Sequence, residues 1–308
     1  MNQIITCKTK RKYSHIKEGS VAFDIFIYII ACIVILLTLY PMYYVLILSL
    51  SDPKYAITMH VYLFPKGLNF GAYAVLFKDI GFWKAYRNTL IFLVPNTILP
   101  IITSMLVAYP LSCPMLKGRK FLTWYLLIPM YFSGGLIPSF LLINRMGLYG
   151  SPWALIIPGC FSIRYIILIR SYMRTIPNGL REAAYIDGAN IYQVLLHIYL
   201  PNCTAILAVI AIYALVGTWN SWYSAFIYLP KRDWQPLQLY LRRVLTLAES
   251  TGTEELGEAA QKEMEEYKLA VAQYKYSMIL ISTLPILASY PFFQRFFIKG
   301  VMLGSLKE

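Results

Sequence analysis

Six apolar runs, each about twenty residues or longer, constrain this chain more than anything else, because runs of that length read as helices that cross a bilayer. They cover about 22–48, 89–109, 121–143, 153–173, 205–229 and 278–298. Over 308 residues, a hydrophobic content of 58%, a charged content of 14% and a mean hydropathy of +0.55 are too apolar for a soluble domain. The expected fold class is all-α: a polytopic membrane protein with about six transmembrane helices.

The net charge of +13 does not point to nucleic acid, since the basic residues sit beside apolar runs and not along a groove interleaved with exposed aromatics. They fit the excess of lysine and arginine on cytoplasmic flanks. Lys8, Lys10, Arg11, Lys12 and Lys17 precede the first span without a small-residue cleavage site, so 1–20 reads as a retained cytoplasmic tail. Lys117, Arg119 and Lys120 mark a second cytoplasmic loop. An even number of spans then leaves both termini inside, with 21–298 as the membrane domain and 299–308 as a cytoplasmic tail. Residues 51–83 read as an external loop with short interfacial helices. The third span is interrupted at Ser133-Gly134-Gly135 and Pro138, a break tolerated where protein or a cavity satisfies the backbone, so it is expected to face protein. The fourth span is read as continuous, with Arg164 near its middle. Residues 230–276 form a long external segment, in which Thr253 is expected to cap a helix through 254–274.

Between the fourth and fifth spans lies a polar stretch that predicts a helical hairpin over 177–201. Pro177 suits a first helical turn, and Leu180, Ala183 and Ala184 share a small-sided apolar face. Asp187-Gly188 reads as the turn, since a residue just past a helix end often adopts a left-handed backbone that only glycine takes without steric cost. Asn190 followed three residues later by Gln193 predicts a capping box. Ile191, Val194, Leu195 and Ile198 then fall on one face, and Pro201 closes the unit.

The pattern Glu182, Ala183, Ala184, Gly188, Ile198, Leu200 and Pro201 resembles, without a gap, the cytoplasmic loop of permease subunits of binding-protein-dependent ABC importers. Trp219-Asn220 and the closing segment with Gln294, Arg295, Phe296, Gly300, Gly304 and Lys307 are similar to the carbohydrate-uptake branch. The segment from Pro285 onward and Pro236–Leu245 resemble the group that imports aldouronates and other acidic or complex oligosaccharides. The resemblance implies a second permease, two ATPase subunits that carry ATP and magnesium, an extracellular substrate-binding protein and an oligosaccharide substrate, in a bacterial cytoplasmic membrane. It also implies that 177–201 is a coupling helix seated in an ATPase cleft, with Glu182 pairing to a basic residue there and Asp187 at its turn. Gly179 departs from the family, which often has an acidic residue at that point.

The sequence contains no phosphate-cradling Gly-x-x-x-x-Gly-Lys-Ser/Thr loop, so no cofactor is expected in this chain and ATP hydrolysis belongs elsewhere. His15, His60 and His197 are isolated, the five cysteines are scattered, and neither metal-ligand spacing nor a nucleophile motif appears. Candidate pathway residues are Arg164, Trp219, Asn220 and Ser133, a charged or polar residue or a backbone break within each apolar run. A stand-alone secondary transporter or channel is the alternative, but such folds usually show an internal repeat and none is evident.

Overall fold

The computed structural model describes residues 21–57, 61–250, 271, 273–292 and 294. These form helices joined by turns and short loops, with one isolated bridge between Ser51 and Leu68 and no longer strand among the described residues. By length and composition three helices can cross a bilayer, or up to five when each of two sharply bent pairs counts as one span. Residues 273–292 form a further helix; apart from 294, the rest of the expected sixth span lies outside the described residues. So do both expected terminal tails and the capping position Thr253.

Helix α1 (Val21–Leu50) is exposed along most of its length, as suits an apolar helix in lipid, and its end packs where Ile47 and Leu48 meet Val61. The expected loop holds α2 (Pro53–Ile57) and α3 (Gly71–Lys78). Helix α4 (Ile80–Ser112) starts inside that expected loop because Asp79 caps it, its Oδ1 accepting from the amides of Gly81 at 2.8 Å and Phe82 at 3.2 Å. At about 1.5 Å per residue α4 is roughly 50 Å long, so its first turns extend past a bilayer core of about 30 Å.

The third span divides into α5 (Arg119–Tyr131) and α6 (Leu136–Arg145), which meet at 108°. Gly135 takes φ +88° and its amide donates to Ser133 Oγ at 3.2 Å, so the break falls where the sequence places it. On the chain itself this break is exposed. The fourth span is also not continuous. It runs as α7 (Trp153–Gly159), a non-helical stretch at 160–162 and α8 (Ile163–Met173). Pro158 and Gly159 weaken the helix there, and the Cys160 carbonyl accepts from Thr103 Oγ1 at 2.5 Å, which satisfies the backbone at the break.

The polar stretch folds as α9 (Asn178–Ile186), α10 (Ile191–Val194), a π-helical turn (Leu195–Tyr199) and α11 (Leu200–Asn202), which bends by 77° into α12 (Thr204–Trp219). The fifth span was expected over about 205–229. It stops instead at Trp219 and resumes as α13 (Tyr223–Tyr228), because 220–222 leave helical geometry. A 3-10 turn (Arg232–Trp234) leads into α14 (Leu237–Ser250).

Helix α4 is the hub, packing on α8 and α12 and also on α7 and α14. Near its C-terminal end Met105, Ala108, Ile166, Ile169, Tyr199 and Ile210 form one core. Near its N-terminal end Leu76, Phe82, Trp219, Leu237 and Met278 form another. Asp79 ties the second core together, its Oδ2 accepting from the hydroxyl of Tyr240 at 2.6 Å and from that of Tyr274. Burial alone would raise this carboxyl's pKa, but the bonds from Tyr240, Tyr274 and the Phe82 and Gly81 amides outweigh it and hold the pKa below its usual value.

Candidate functional site

The hairpin owes its shape to two local hydrogen-bond devices. At the end of α9 the amide of Gly188 donates to Tyr185 O at 3.1 Å and that of Ala189 to Ala184 O at 2.9 Å, a Schellman pair that satisfies the last carbonyls of the helix. Gly188 sits at φ +81°, as its expected place in the turn requires. At the start of α10 Asn190 Oδ1 accepts from the Gln193 amide at 2.9 Å, while the Asn190 amide donates to Gln193 Oε1 at 2.8 Å. This is the capping box that the spacing predicts. Pro177 lies one residue outside α9, at the N-cap, and not in its first turn.

Pro201 does not end the second helix, as the sequence reading had it. The chain stays helical to Asn202 and breaks at Cys203. Pro201 has no amide hydrogen to give to the turn before it, which takes π geometry with the Leu200 amide donating to the Leu195 carbonyl, and Asn202 Nδ2 donates to the Ile198 carbonyl at 2.7 Å.

Burial sorts the hairpin into an inner and an outer side. Val194, Leu195 and Tyr199 are buried against the ends of α4 and α8, with Ala184, Ala189 and Ile198 half-buried beside them. Glu182, Ala183, Asp187, Gly188, Leu200 and Pro201 are exposed. Ile191 is exposed as well, unlike Val194 and Leu195 with which its spacing groups it, and Ile186 is 86% exposed. A notch of about 320 Å³ lies over the turn, lined by Ala184, Asp187, Gly188, Gln193 and His197. What projects from the helical body is thus a small-residue turn flanked by two carboxylates and apolar side chains, a surface suited to receiving a complementary protein.

Sequence reasoning overlooked Arg181, which is only 5% exposed within α9. Burial works against its charge, yet Tyr199, Cys113 and Tyr185 together favour it and keep the guanidinium pKa above its ordinary value. Through Tyr199 and Cys113 it links α9 to the second helix of the hairpin and to the end of α4. The signal available beforehand was a lone arginine beside the apolar positions Leu180 and Ala184.

The candidate pathway residues are dispersed. Arg164 is exposed in the first turn of α8, directly after the break, and makes no hydrogen bond among the described residues. Trp219 is 2% exposed and its Nε1 donates to Ser282 O at 3.1 Å, so in this conformation it is a packing residue. Asn220 and Ser133 are exposed at their respective breaks.

No protein-family model matches the chain. Among curated proteins it is similar to Protein LplC of Bacillus subtilis (strain 168), with 33% identity over 274 residues that cover 88% of this chain and 90% of the relative. It is also similar to the polygalacturonan/rhamnogalacturonan transport system permease protein YtcP of the same organism, with 31% identity over 92% of this chain and 98% of the relative. The inner membrane ABC transporter permease protein YcjP of Escherichia coli (strain K12) is 26% identical over 89% of this chain and 92% of the relative. Among solved structures, a chain of a bacterial ABC transporter involved in the import of the acidic polysaccharide alginate superposes with a TM-score of 0.80 at 28% identity, covering 91% of this chain and 99% of that one. A chain of a bacterial alginate ABC transporter in complex with an alginate pentasaccharide-bound periplasmic protein, at 17% identity and a TM-score of 0.52, shares the fold alone. Similarity that runs through the spans and hairpin alike, over nine-tenths of the length, makes this multi-pass membrane protein a member of the sugar permeases of ABC transporters.

Proposed function

We propose that this permease forms half of the translocation pathway of an ATP-driven importer of oligosaccharides, uronate-bearing ones among them, and that its hairpin receives the movements of an ATPase subunit. In this reading both termini and 177–201 are cytoplasmic, 230–276 is external, and a second permease completes the pathway. Two ATPase subunits supply ATP and magnesium chemistry, and an external binding protein delivers the sugar. The observation that carries the reading is the hairpin's geometry. A Schellman turn and a capping box stiffen it, Arg181, Val194 and Tyr199 root it in the ends of α4 and α8, and its outer side presents Glu182, Asp187 and Gly188. A push on the turn is therefore delivered to the helical body and not lost in a loose loop.

The test is Glu182→Ala in the reconstituted complex. Uptake and binding-protein-stimulated ATPase activity are expected to fall about tenfold or more, the loss of a charge-assisted contact worth about 1.5–3 kcal/mol, with the subunits still co-purifying. Wild-type values for both would refute the assignment.

A finer reading concerns substrate charge. Arg164 is exposed next to a helix break and has no hydrogen-bond partner among the described residues, and relatives transport polygalacturonan or import alginate. An intramembrane guanidinium needs a partner, and its fork matches a carboxylate. A uronate group in transit fits that need; a carboxylate of the second permease is the competing partner.

A further inference from the structure

A cavity of about 190 Å³ lies between α4, the end of α7 and the α12–α13 break. Its polar wall comprises Asn96, Thr218, Ser221 and Ser224, with Phe92 as an apolar face. Asn96 lies within the expected second span, 89–109, about 10 Å along α4 from residue 89 at about 1.5 Å per residue, so this polar lining sits inside the apolar depth of the membrane. There, unsatisfied polar groups are expensive. Yet Asn96 Oδ1 is buried without a hydrogen-bond partner, and half-buried Thr218 and exposed Ser221 and Ser224 stand beside it with hydroxyls that make no hydrogen bond among the described residues. Glycine backbones at 159 and 217 complete the wall. At Gly159 a Cβ would come within 2.8 Å of Asn96 Oδ1, so glycine is what lets the amide occupy this place.

We infer that this cavity is a transit subsite for one pyranose ring of the transported oligosaccharide, held through its hydroxyls. The inference rests on reading the chain as half of the sugar pathway. A pyranose offers several hydroxyls that both donate and accept, which matches one orphan amide oxygen and three free hydroxyls. Its C–H face suits the Phe92 ring. Common ligand pockets hold about 300–1,000 Å³, so this volume takes one ring and not a chain. No charged side chain lines the cavity, so it reads hydroxyls irrespective of substrate charge.

The experiment uses the whole reconstituted importer with trigalacturonate, its methyl ester, an alginate trisaccharide and maltotriose as probes. Asn96→Ala should lower the uptake rate about fivefold for every sugar that the wild type carries, the worth of roughly one neutral hydrogen bond. A Ser221→Ala, Ser224→Ala pair should do likewise, and it decides the matter if Asn96→Ala fails to co-purify. Gly159→Ala, which pushes on Asn96, should reproduce the loss. Unchanged uptake in Asn96→Ala and in the serine pair would overturn the subsite and leave the permease reading standing, since removing an orphan polar group that serves only packing should stabilise the protein without slowing transport. A wild type that carries maltotriose alone would remove the acidic-substrate reading and leave the subsite test intact. A wild type that carries none of the four would overturn both.

Discussion

Replacing Gly188 by valine isolates what the hairpin turn contributes. The residue lies at φ +81°, and a Cβ built there meets no neighbouring atom among the described residues within 4 Å. The intramolecular penalty is therefore one of backbone conformation and not of crowding. A left-handed backbone costs an L-residue about 1–2 kcal/mol, and a β-branched side chain belongs at the upper end. That is roughly a 5- to 30-fold loss in the population of the formed turn. The Gly188 and Ala189 amides would lose their bonds to Tyr185 and Ala184, so hydrogen exchange at these two positions should quicken by a similar factor. Binding-protein-stimulated ATPase activity of the reconstituted complex should fall at least as far. Asparagine tolerates the left-handed region, so Gly188→Asn should recover most of the protection. If valine leaves exchange and stimulation at wild-type values, the turn does not couple. If asparagine matches valine in lost stimulation while protecting the amides, the loss comes from side-chain bulk against a partner and the backbone argument fails.

Two further outcomes follow from other parts of the molecule. Arg164→Gln should abolish uptake of trigalacturonate while sparing its methyl ester; equal loss of both, with poor co-purification, would assign the guanidinium to a structural pair. Asp79→Asn should destabilise the junction of α4, α14 and the 273–292 helix by about 1–3 kcal/mol, through the lost charge-assisted bonds and helix-dipole contact. Because the folded pKa of Asp79 lies below its unfolded value near 3.8, that stabilisation is complete above pH 4 and is lost as pH falls through the folded value. A thermal-melt difference between wild type and Asp79→Asn should accordingly persist from pH 8 down to about pH 4 and vanish below. A difference already lost at pH 6 would refute the role given to the carboxylate.

Much of the hairpin was legible in the sequence because its determinants are local. A glycine at a left-handed position and an asparagine three residues before a glutamine act over one turn of chain, and both formed as the spacing predicts. The same holds for the apolar runs, whose length alone implies membrane helices, and for the break at Ser133-Gly134-Gly135. Where residues act across elements, the sequence was silent or misleading. Arg164 reads as the midpoint of a continuous span, yet the helix breaks at 160–162, because Thr103 on α4 can take the carbonyl that the break releases. Trp219 reads as a polar-handled pathway residue, yet the Ser282 carbonyl on a distant helix claims its indole and closes it into a core. Arg181 looks like one more basic surface residue until Tyr199 and Cys113 enclose it. Asn96 carries no signal of its own, since an amide inside an apolar run is ordinary; only the approach of Gly159 and the α12–α13 break surrounds it with hydroxyls. Local backbone chemistry is written in adjacent residues, whereas burial and hydrogen-bond pairing depend on which distant segments arrive, and that is decided by how α4 packs against its neighbours.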